Sequence, residues 1–349
     1  MRNDGDVDAA LAGGREARSR REYYMPHLAQ APMEPPAATA RIDGRQVRGL
    51  GAACRARRPR ATTWPSALGM PPEDVTVNVT LLGGGFGRKS KADFAVEAAL
   101  LAREMDGKPV KVAWTREDDL HHSTTTTPSR SSTSRRASTT TGKPVAWLHR
   151  SVGPTHHGAS SCPIRSTESP IELGMGLVDV PFAVPNMRIE NPEAAAHTRI
   201  GWYRSVSNIP HAFAVQSFVA EMAHAAGRDP KDYLLELLGP PRRIDPRDSQ
   251  RHLEPRRGSR ASTRSTPAGC AAWPRPRREG AELGPASCRK GRGLGIAAHY
   301  SFVTYVAAVV EVAVGREGQA HDPARRHRDR LRRHRQPRAR ALADGRRAA

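Results

Sequence analysis

The chain has 349 residues, a formal net charge of +21 and a hydrophobic content of only 38%. Soluble domains are typically about 45–50% apolar, so the length permits two domains but the composition argues against a core that runs throughout. Four scattered cysteines without a C-x-x-C pair support neither a disulfide framework nor a zinc site, and no membrane span is expected because the sequence has no run of about 18 apolar residues.

The first stretch of the chain has a mixed character. Residues 1–21 are polar, are predicted to be flexible and lack the apolar core of a secretory signal, so we expect a cytoplasmic protein. Tyr23–Ile42 is more ordered in character, although its prolines forbid a long helix. Residues 45–68 are rich in arginine, show no clear period and are predicted to be irregular.

A strand, a glycine-rich loop and a helix follow one another in residues 75–105. Val75 and Val77 begin an apolar alternation typical of a half-buried strand, which Val79 and Leu81 continue. The loop reads GGGFGRK at 83–89. The helical spacing is carried by Phe94, Ala98, Leu101 and Met105. Glycine N–H groups can approach a ligand without a Cβ in the way, and a helix start favours anions, so this segment predicts a backbone cradle.

Two simpler interpretations of the glycine loop stay open at this point. It could be only a sharp turn between a strand and a helix. It could also be a phosphate-binding loop of the form G-x-x-x-x-G-K-[ST], which Gly83, Lys89 and Ser90 fit. Arg88 stands where the second glycine of that pattern belongs, which argues against a nucleoside triphosphate.

The middle of the chain alternates between segments that are predicted to be ordered and segments with few large apolar side chains. Residues 109–114 (PVKVAW) predict a strand, and the acidic residues of the following TREDD segment are predicted to support structure. Residues 122–142 contain 14 Ser or Thr among 21 residues and no large apolar side chain, so they are predicted to be disordered. A strand is predicted at 143–152, and residues 155–169 are predicted to be irregular.

Two helices close the first predicted domain, which spans residues 22–239. Val215, Phe218, Val219 and Met222 form one apolar face, and Asp229 is a fitting N-cap for the helix after it. Residues 240–290 are predicted to be a low-order linker, residues 291–317 to begin a second domain with strands, and residues 318–349 to be an arginine-rich disordered tail. We hypothesise that several of the stretches with few apolar residues are out-of-frame translations of the gene. Resequencing the coding DNA tests this hypothesis.

The ordered segments resemble a known family. GGGFGRK, DFAVEAALLA and GKPVKVAWTREDD occur in the order found in the molybdopterin-binding subunit of the xanthine dehydrogenase and aldehyde oxidase family, and are most similar to the isoquinoline 1-oxidoreductase beta-subunit type. Residues 26–35, 201–223 and 291–314 resemble further segments of the same subunit in the same order. The resemblance implies an α+β fold of mixed sheets with packed helices, interrupted here by long disordered stretches.

The resemblance also implies a chemistry. Members of the family hydroxylate an N-heterocycle or an aldehyde with oxygen from water. They use a molybdenum pterin, in bacterial relatives often in its cytosine dinucleotide form, and pass electrons to a partner subunit that carries iron–sulfur clusters. The cofactor performs the redox chemistry, and the protein binds and orients it.

The family's site residues map onto two loops of this chain. By resemblance the cofactor-binding residues are Gly84, Gly85, Phe86, Gly87, Arg88, Arg204, Ser205 and Val206. The ring of Phe86 is expected to wall the substrate side. His27, Gln30 and Glu34 are expected to lie near the cofactor. No residue is assigned as a metal ligand.

The end of the chain departs from the family pattern. The family's general base is a Glu in a Gly-Glu-containing segment near the C-terminus, and Glu317, in VGREGQ, does not match that segment. We therefore assign no catalytic residue, expect a truncated and inactive fragment, and leave open whether the chain is an enzyme by itself. A basic nucleic-acid-binding protein is the alternative that a pI of about 11.0 suggests.

Overall fold

A computed structural model describes residues 2–13, 17–51, 63–122, 130–156, 164–196, 198–240, 291–302, 304–315 and 320–321. The strands are β1 (Asn3–Asp4), β2 (Ala17–Met25), β3 (Ala37–Asp43), β4 (Gln46–Gly51), β5 (Val75–Val79), β6 (Val110–Ala113), β7 (Arg130–Ser138), β8 (Pro144–Val152), β9 (Ile164–Ser166), β10 (Asn186–Glu190), β11 (Ala194–Ala196), β12 (Arg292–Ser301), β13 (Thr304–Val314) and β14 (Ala320–His321). The helices are α1 (Val7–Gly13), α2 (Thr63–Leu68), α3 (Asp93–Glu104), α4 (Arg116–His121), α5 (Pro170–Leu173), α6 (Asn208–Ala225) and α7 (Pro230–Leu238).

Two mixed sheets organise the fold. The larger has the order β1-β10-β8-β7-β2, with β8 and β10 parallel and the other neighbours antiparallel. The smaller has the order β5-β4-β3-β6, with β4 and β5 parallel. Strands β12, β13 and β14 form a third sheet, and β9 pairs with β11. The predicted α+β architecture of mixed sheets and packed helices is confirmed.

The larger core lies between the five-stranded sheet and helices α6 and α7. Trp147 of β8 packs edge-on against Phe218 of α6, with ring centroids 5.0 Å apart. The predicted apolar face of α6 is buried as expected, and the Asp229 carboxylate caps α7 by accepting hydrogen bonds from the Lys231 and Asp232 N–H groups. None of the described helices combines the length and the apolarity needed to cross a bilayer.

Helix α3 covers the four-stranded sheet and forms a second core. Phe94 and Ala98 are fully buried, as predicted, but Leu101 and Met105 are exposed. The buried face of α3 is completed by small residues instead, namely Ala95, Ala99 and Ala102. Small side chains let the helix lie close to the sheet, which the spacing of the large apolar residues does not predict. Leu81, predicted to continue the strand, lies beyond β5 and is exposed.

The prediction that residues 122–142 are disordered is wrong for the part that the structure describes. Residues 130–138 form β7, which pairs with β2 on one side and β8 on the other. Its small polar side chains are satisfied inside the sheet: Ser134 Oγ lies 3.0 Å from His149 Nδ1, and the Arg136 guanidinium donates to Ser138 Oγ at 3.0 Å. Neighbouring strands supply the apolar surface that β7 itself lacks. Residues 123–129 lie outside the described residues.

The prediction that residues 1–21 are flexible is also wrong over most of its length. β1 pairs with β10, and α1 buries Val7 and Leu11 against Ala146 and Leu148 of the large sheet. Arg188 of β10 holds α1 through two hydrogen bonds to the Asp8 carboxylate, at 2.6 and 2.8 Å.

Other segments predicted to be irregular also contain regular structure. Residues 46–51 form β4, which lies between β3 and β5 in the four-stranded sheet, and residues 63–68 form α2. Residues 164–166 form β9 through pairing with β11, and residues 320–321 of the predicted tail pair with β13. Residues 52–62, 157–163, 241–290 and 322–349 lie outside the described residues, together with Glu317.

Candidate functional site

The glycine loop after β5 turns through left-handed backbone conformations. Gly84 and Gly87 have φ values of +95° and +98°, and Phe86 has a φ of +49°. Glycine adopts such angles without the steric cost that a Cβ brings. The Arg88 N–H closes the turn on the Gly85 carbonyl at 2.7 Å, and a short 3₁₀ turn then leads into α3.

The loop leaves a run of N–H groups without an internal acceptor. Within the described residues, no hydrogen bond is formed by the backbone N–H groups of Gly84, Gly85, Phe86 and Gly87. All four residues are partly exposed. Successive N–H groups in a turn with left-handed residues make a concave site for anionic or oxygen-rich ligands.

A second loop, residues 202–206, lies against the glycine loop. A Cβ built on Gly87 would stand 2.1 Å from the Trp202 carbonyl oxygen, so only glycine permits this approach. The same carbonyl accepts a hydrogen bond from Gln30 Nε2 at 2.7 Å. Gln30 is therefore buried next to the predicted site, whereas His27, predicted beside it, is exposed.

The second loop is itself strained. Ser205 and Val206 have φ values of +66° and +51°. A β-branched residue with positive φ is a genuine outlier, and strain of this kind concentrates at ligand sites. The Val206 N–H donates to the Tyr203 carbonyl at 2.8 Å, and the Arg204 side chain is exposed.

Arg88 is placed differently from the other predicted site residues. Its side chain is fully buried, donating to Asp119 at 3.0 Å and to both carboxylate oxygens of Asp93 at 2.9 and 3.0 Å. Its guanidinium also lies 5.0 Å from the centre of the Trp114 ring. These partners favour a structural role that fastens the glycine loop to α3 and α4, and the predicted contact of Arg88 with the cofactor stays a prediction.

Glu34 clamps the entry to the glycine loop. Its carboxylate accepts the Gly83 N–H at 2.8 Å and pairs with the buried Lys89 ammonium. The Lys89 hydrogen bond, reinforced by the Gly83 N–H, holds the pKa of the Glu34 carboxyl below its ordinary value. Because Lys89 is buried against Glu34, it is not presented to a phosphate, which argues against the phosphate-binding-loop interpretation.

The prediction that the TREDD segment supports structure is confirmed. Thr115 and Asp118 form a capping box at the start of α4, and the hydrogen bonds from the Thr115 N–H and hydroxyl lower the pKa of Asp118. Asp119 is buried between Arg88 and Arg116.

The hydrogen-bond partners that hold the two loops were not predicted from the sequence. The Trp202 carbonyl contacts Gly87 and Gln30, and Asn208 Nδ2 donates a hydrogen bond to the Ser205 carbonyl. No spacing rule connects Trp202 with Gly87 and Gln30, because the elements that carry them are far apart in the chain.

The sequence of the chain is similar to sequences of known proteins. Residues 1–234 match the sequence model of a family described as molybdopterin cofactor-binding domain. The chain is 27% identical over 252 residues to a chain of the nicotinate dehydrogenase of Pseudomonas putida, covering 70% of this chain and 21% of that protein. It is 30% identical over 251 residues to a protein of Gluconacetobacter polyoxogenes named membrane-bound aldehyde dehydrogenase (pyrroloquinoline-quinone), covering 68% and 31%. It is also 28% identical to the beta chain of the isoquinoline 1-oxidoreductase of Brevundimonas diminuta, covering 60% and 27%.

Solved structures share the fold. The aldehyde oxidoreductase of Desulfovibrio desulfuricans superposes with a TM-score of 0.61 at 15% identity, covering 91% of this chain and 34% of that one. Quinoline 2-oxidoreductase of Pseudomonas putida gives 0.55 at 20% identity, covering 67% and 29%. The chain thus spans about a third or less of the length of these relatives. They are oxidoreductases by name, and they give the nucleic-acid-binding alternative no support.

Proposed function

Starting from the fact that this chain belongs to the molybdopterin cofactor-binding domain family, we propose that it supplies the cofactor cradle of a molybdenum hydroxylase. The observation that carries the proposal is the row of N–H groups from Gly84 to Gly87, which have no acceptor within the described residues. A molybdenum pterin is anionic and rich in oxygen and nitrogen acceptors, so it matches a concave set of donors.

The residues present fit such a group. Gly84 has a φ of +95° and a Cβ there would stand 3.0 Å from the Phe86 ring, so glycine is the residue that this turn accommodates. Gly84, Gly85, Phe86 and Gly87 would hold the cofactor from one side through their N–H groups. On the other side, the exposed Arg204 offers a positive charge, and Ser205 and Val206 form the turn that follows it.

The proposed substrate is an N-heterocycle or an aldehyde. Relatives are named for nicotinate, isoquinoline and aldehyde, which supports this class. When bound, the molybdenum pterin supplies a two-electron oxidation of the substrate carbon. The partly buried Phe86 ring would lie against a flat substrate and exclude water from one face.

The proposed partner is an iron–sulfur electron-transfer subunit. Two relatives are named as subunits, which supports an assembly of several chains. The cytosine dinucleotide form of the pterin belongs to the same proposal.

The test is the cofactor content of the full chain purified from cells that make molybdenum pterin. Molybdenum and pterin are measured by mass spectrometry and by the fluorescence of the oxidised pterin. We expect both in equal amounts, lost in Gly87→Ala but retained in Gly227→Ala, where a Cβ meets nothing within 4 Å. A wild-type chain that folds but carries neither molybdenum nor pterin would contradict the proposal.

A further inference from the structure

His299 of β12 reaches into the first domain from a distant part of the chain. Its Nε2 donates to Asn208 Oδ1 at 2.9 Å, across 91 positions of sequence. A second bond joins the same two elements, from the Ala298 N–H to Gln216 Oε1 at 3.2 Å. The β12–β13 hairpin is therefore fixed to α6 at two separate points, of which only one touches the start of the helix.

A glycine makes room for the His299 ring. Gly176 has a φ of +91°, and a Cβ at that position would stand 2.4 Å from His299 Cε1. Burial lowers the pKa of His299 to about 4, with a smaller contribution from His211, so the imidazole is neutral at physiological pH. The ring therefore sits in a fitted slot as a neutral hydrogen-bond donor.

Asn208 also forms hydrogen bonds with the strained loop of residues 202–206. Its Nδ2 donates to the Ser205 carbonyl at 3.0 Å, and its backbone N–H donates to the same oxygen at 3.1 Å. Because Asn208 Oδ1 accepts from His299, the amide is held with Nδ2 directed at Ser205. Asn208 thus holds the Ser205 carbonyl, which lies between two residues with left-handed backbone.

Backbone strain of this kind persists only where surrounding groups over-determine the conformation. Ser205 and Val206 are both left-handed and neither is glycine. Two hydrogen bonds from Asn208 and one from Val206 to Tyr203 hold the turn.

We propose that His299 is a positioning residue that acts through Asn208 to hold the Arg204–Val206 turn in its left-handed conformation. The β12–β13 hairpin thereby helps to set the conformation of the second loop, residues 202–206. What the turn binds rests on the proposed function, whereas the support of the turn by His299 does not.

The test is amide hydrogen exchange at Val206 in the cofactor-free full chain, compared among variants. His299→Leu removes the donor, and His299→Gln keeps an N–H donor at a similar reach. Gln216→Ala is the matched control, because it cuts the other bond between the hairpin and α6. We expect exchange at Val206 to rise about tenfold in His299→Leu, the size expected for the loss of one hydrogen bond. It should stay near wild type in His299→Gln and Gln216→Ala.

The proposal is overturned if His299→Leu leaves Val206 unchanged, if Gln216→Ala accelerates exchange equally, or if His299→Gln fails to restore protection. Should His299→Leu not fold, His299→Ala removes the same donor and leaves the bond from Asn208 to Ser205 in place. The same acceleration in that variant supports the proposal, and no acceleration overturns it. Because no cofactor is present, a failure of cofactor loading overturns the proposed function without affecting this result.

Discussion

Gly87→Ala is expected to separate the two loops of the cradle. The added Cβ would stand 2.1 Å from the Trp202 carbonyl oxygen, so that carbonyl must retreat by roughly an ångström to reach van der Waals contact. Its hydrogen bond from Gln30, now 2.7 Å long, breaks as a result. The lost hydrogen bond costs about 1 kcal/mol, and an alanine at a φ of +98° adds about 1–3 kcal/mol.

We therefore expect Gly87→Ala to lower the free energy of unfolding by about 3 kcal/mol, measured by urea titration with tryptophan fluorescence. The matched control is Gly227→Ala, which carries a φ of +63° but meets nothing within 4 Å. It bears only the conformational cost of about 1–2 kcal/mol. Equal destabilisation of the two variants would refute the close approach of the loops as the reason for glycine at position 87.

Three further outcomes are expected. Arg88→Met removes one of the two arginine partners of the buried Asp119 and should cost about 3–5 kcal/mol in urea unfolding, and a loss below about 1 kcal/mol would rule out the structural role assigned to Arg88. Glu34→Gln removes the charge that pairs with the buried Lys89, so amide exchange at Gly83 should accelerate, and unchanged exchange would show that the clamp does not hold the loop. Burial lowers the pKa of His149 to about 3. As the pH falls below 6.5, this histidine therefore binds a proton in the unfolded chain but stays neutral in the folded chain. Stability should then fall by about 1.4 kcal/mol per pH unit from this group, and His149→Asn should flatten the pH dependence by that slope, whereas an unaltered slope would contradict the assignment.

Local patterns predicted the parts of the fold whose partners lie nearby. The apolar face of α6 and the Asp229 cap of α7 follow from helical period and N-cap chemistry within a few residues, and both are found. β7 was missed because its order comes from its neighbours. Ser134 is stabilised in the sheet by His149, which lies 15 positions away on β8, and hydrophobicity within the segment carries no trace of that pairing.

The site divides in the same way. The glycine loop was predictable because its conformation is encoded by the residues that adopt it, with Gly84 and Gly87 at positive φ. The hydrogen bond from His299 to Asn208, which supports the second loop, was not predictable, because the two residues are 91 positions apart and follow no common period. Arg88 shows the remaining difficulty: a positive residue in a glycine loop suggests an anion contact, and the local pattern does not reveal its two carboxylate partners in the chain, Asp119 and Asp93.

The most direct test of the cradle is amide hydrogen exchange at Gly84–Gly87 in the full chain with and without bound molybdenum pterin. We expect these four N–H groups to exchange rapidly in the cofactor-free chain and to become protected when the cofactor is bound, while Gly227 is unaffected. Cofactor binding that leaves exchange at Gly84–Gly87 unchanged would contradict the account, because the cofactor would then be held elsewhere.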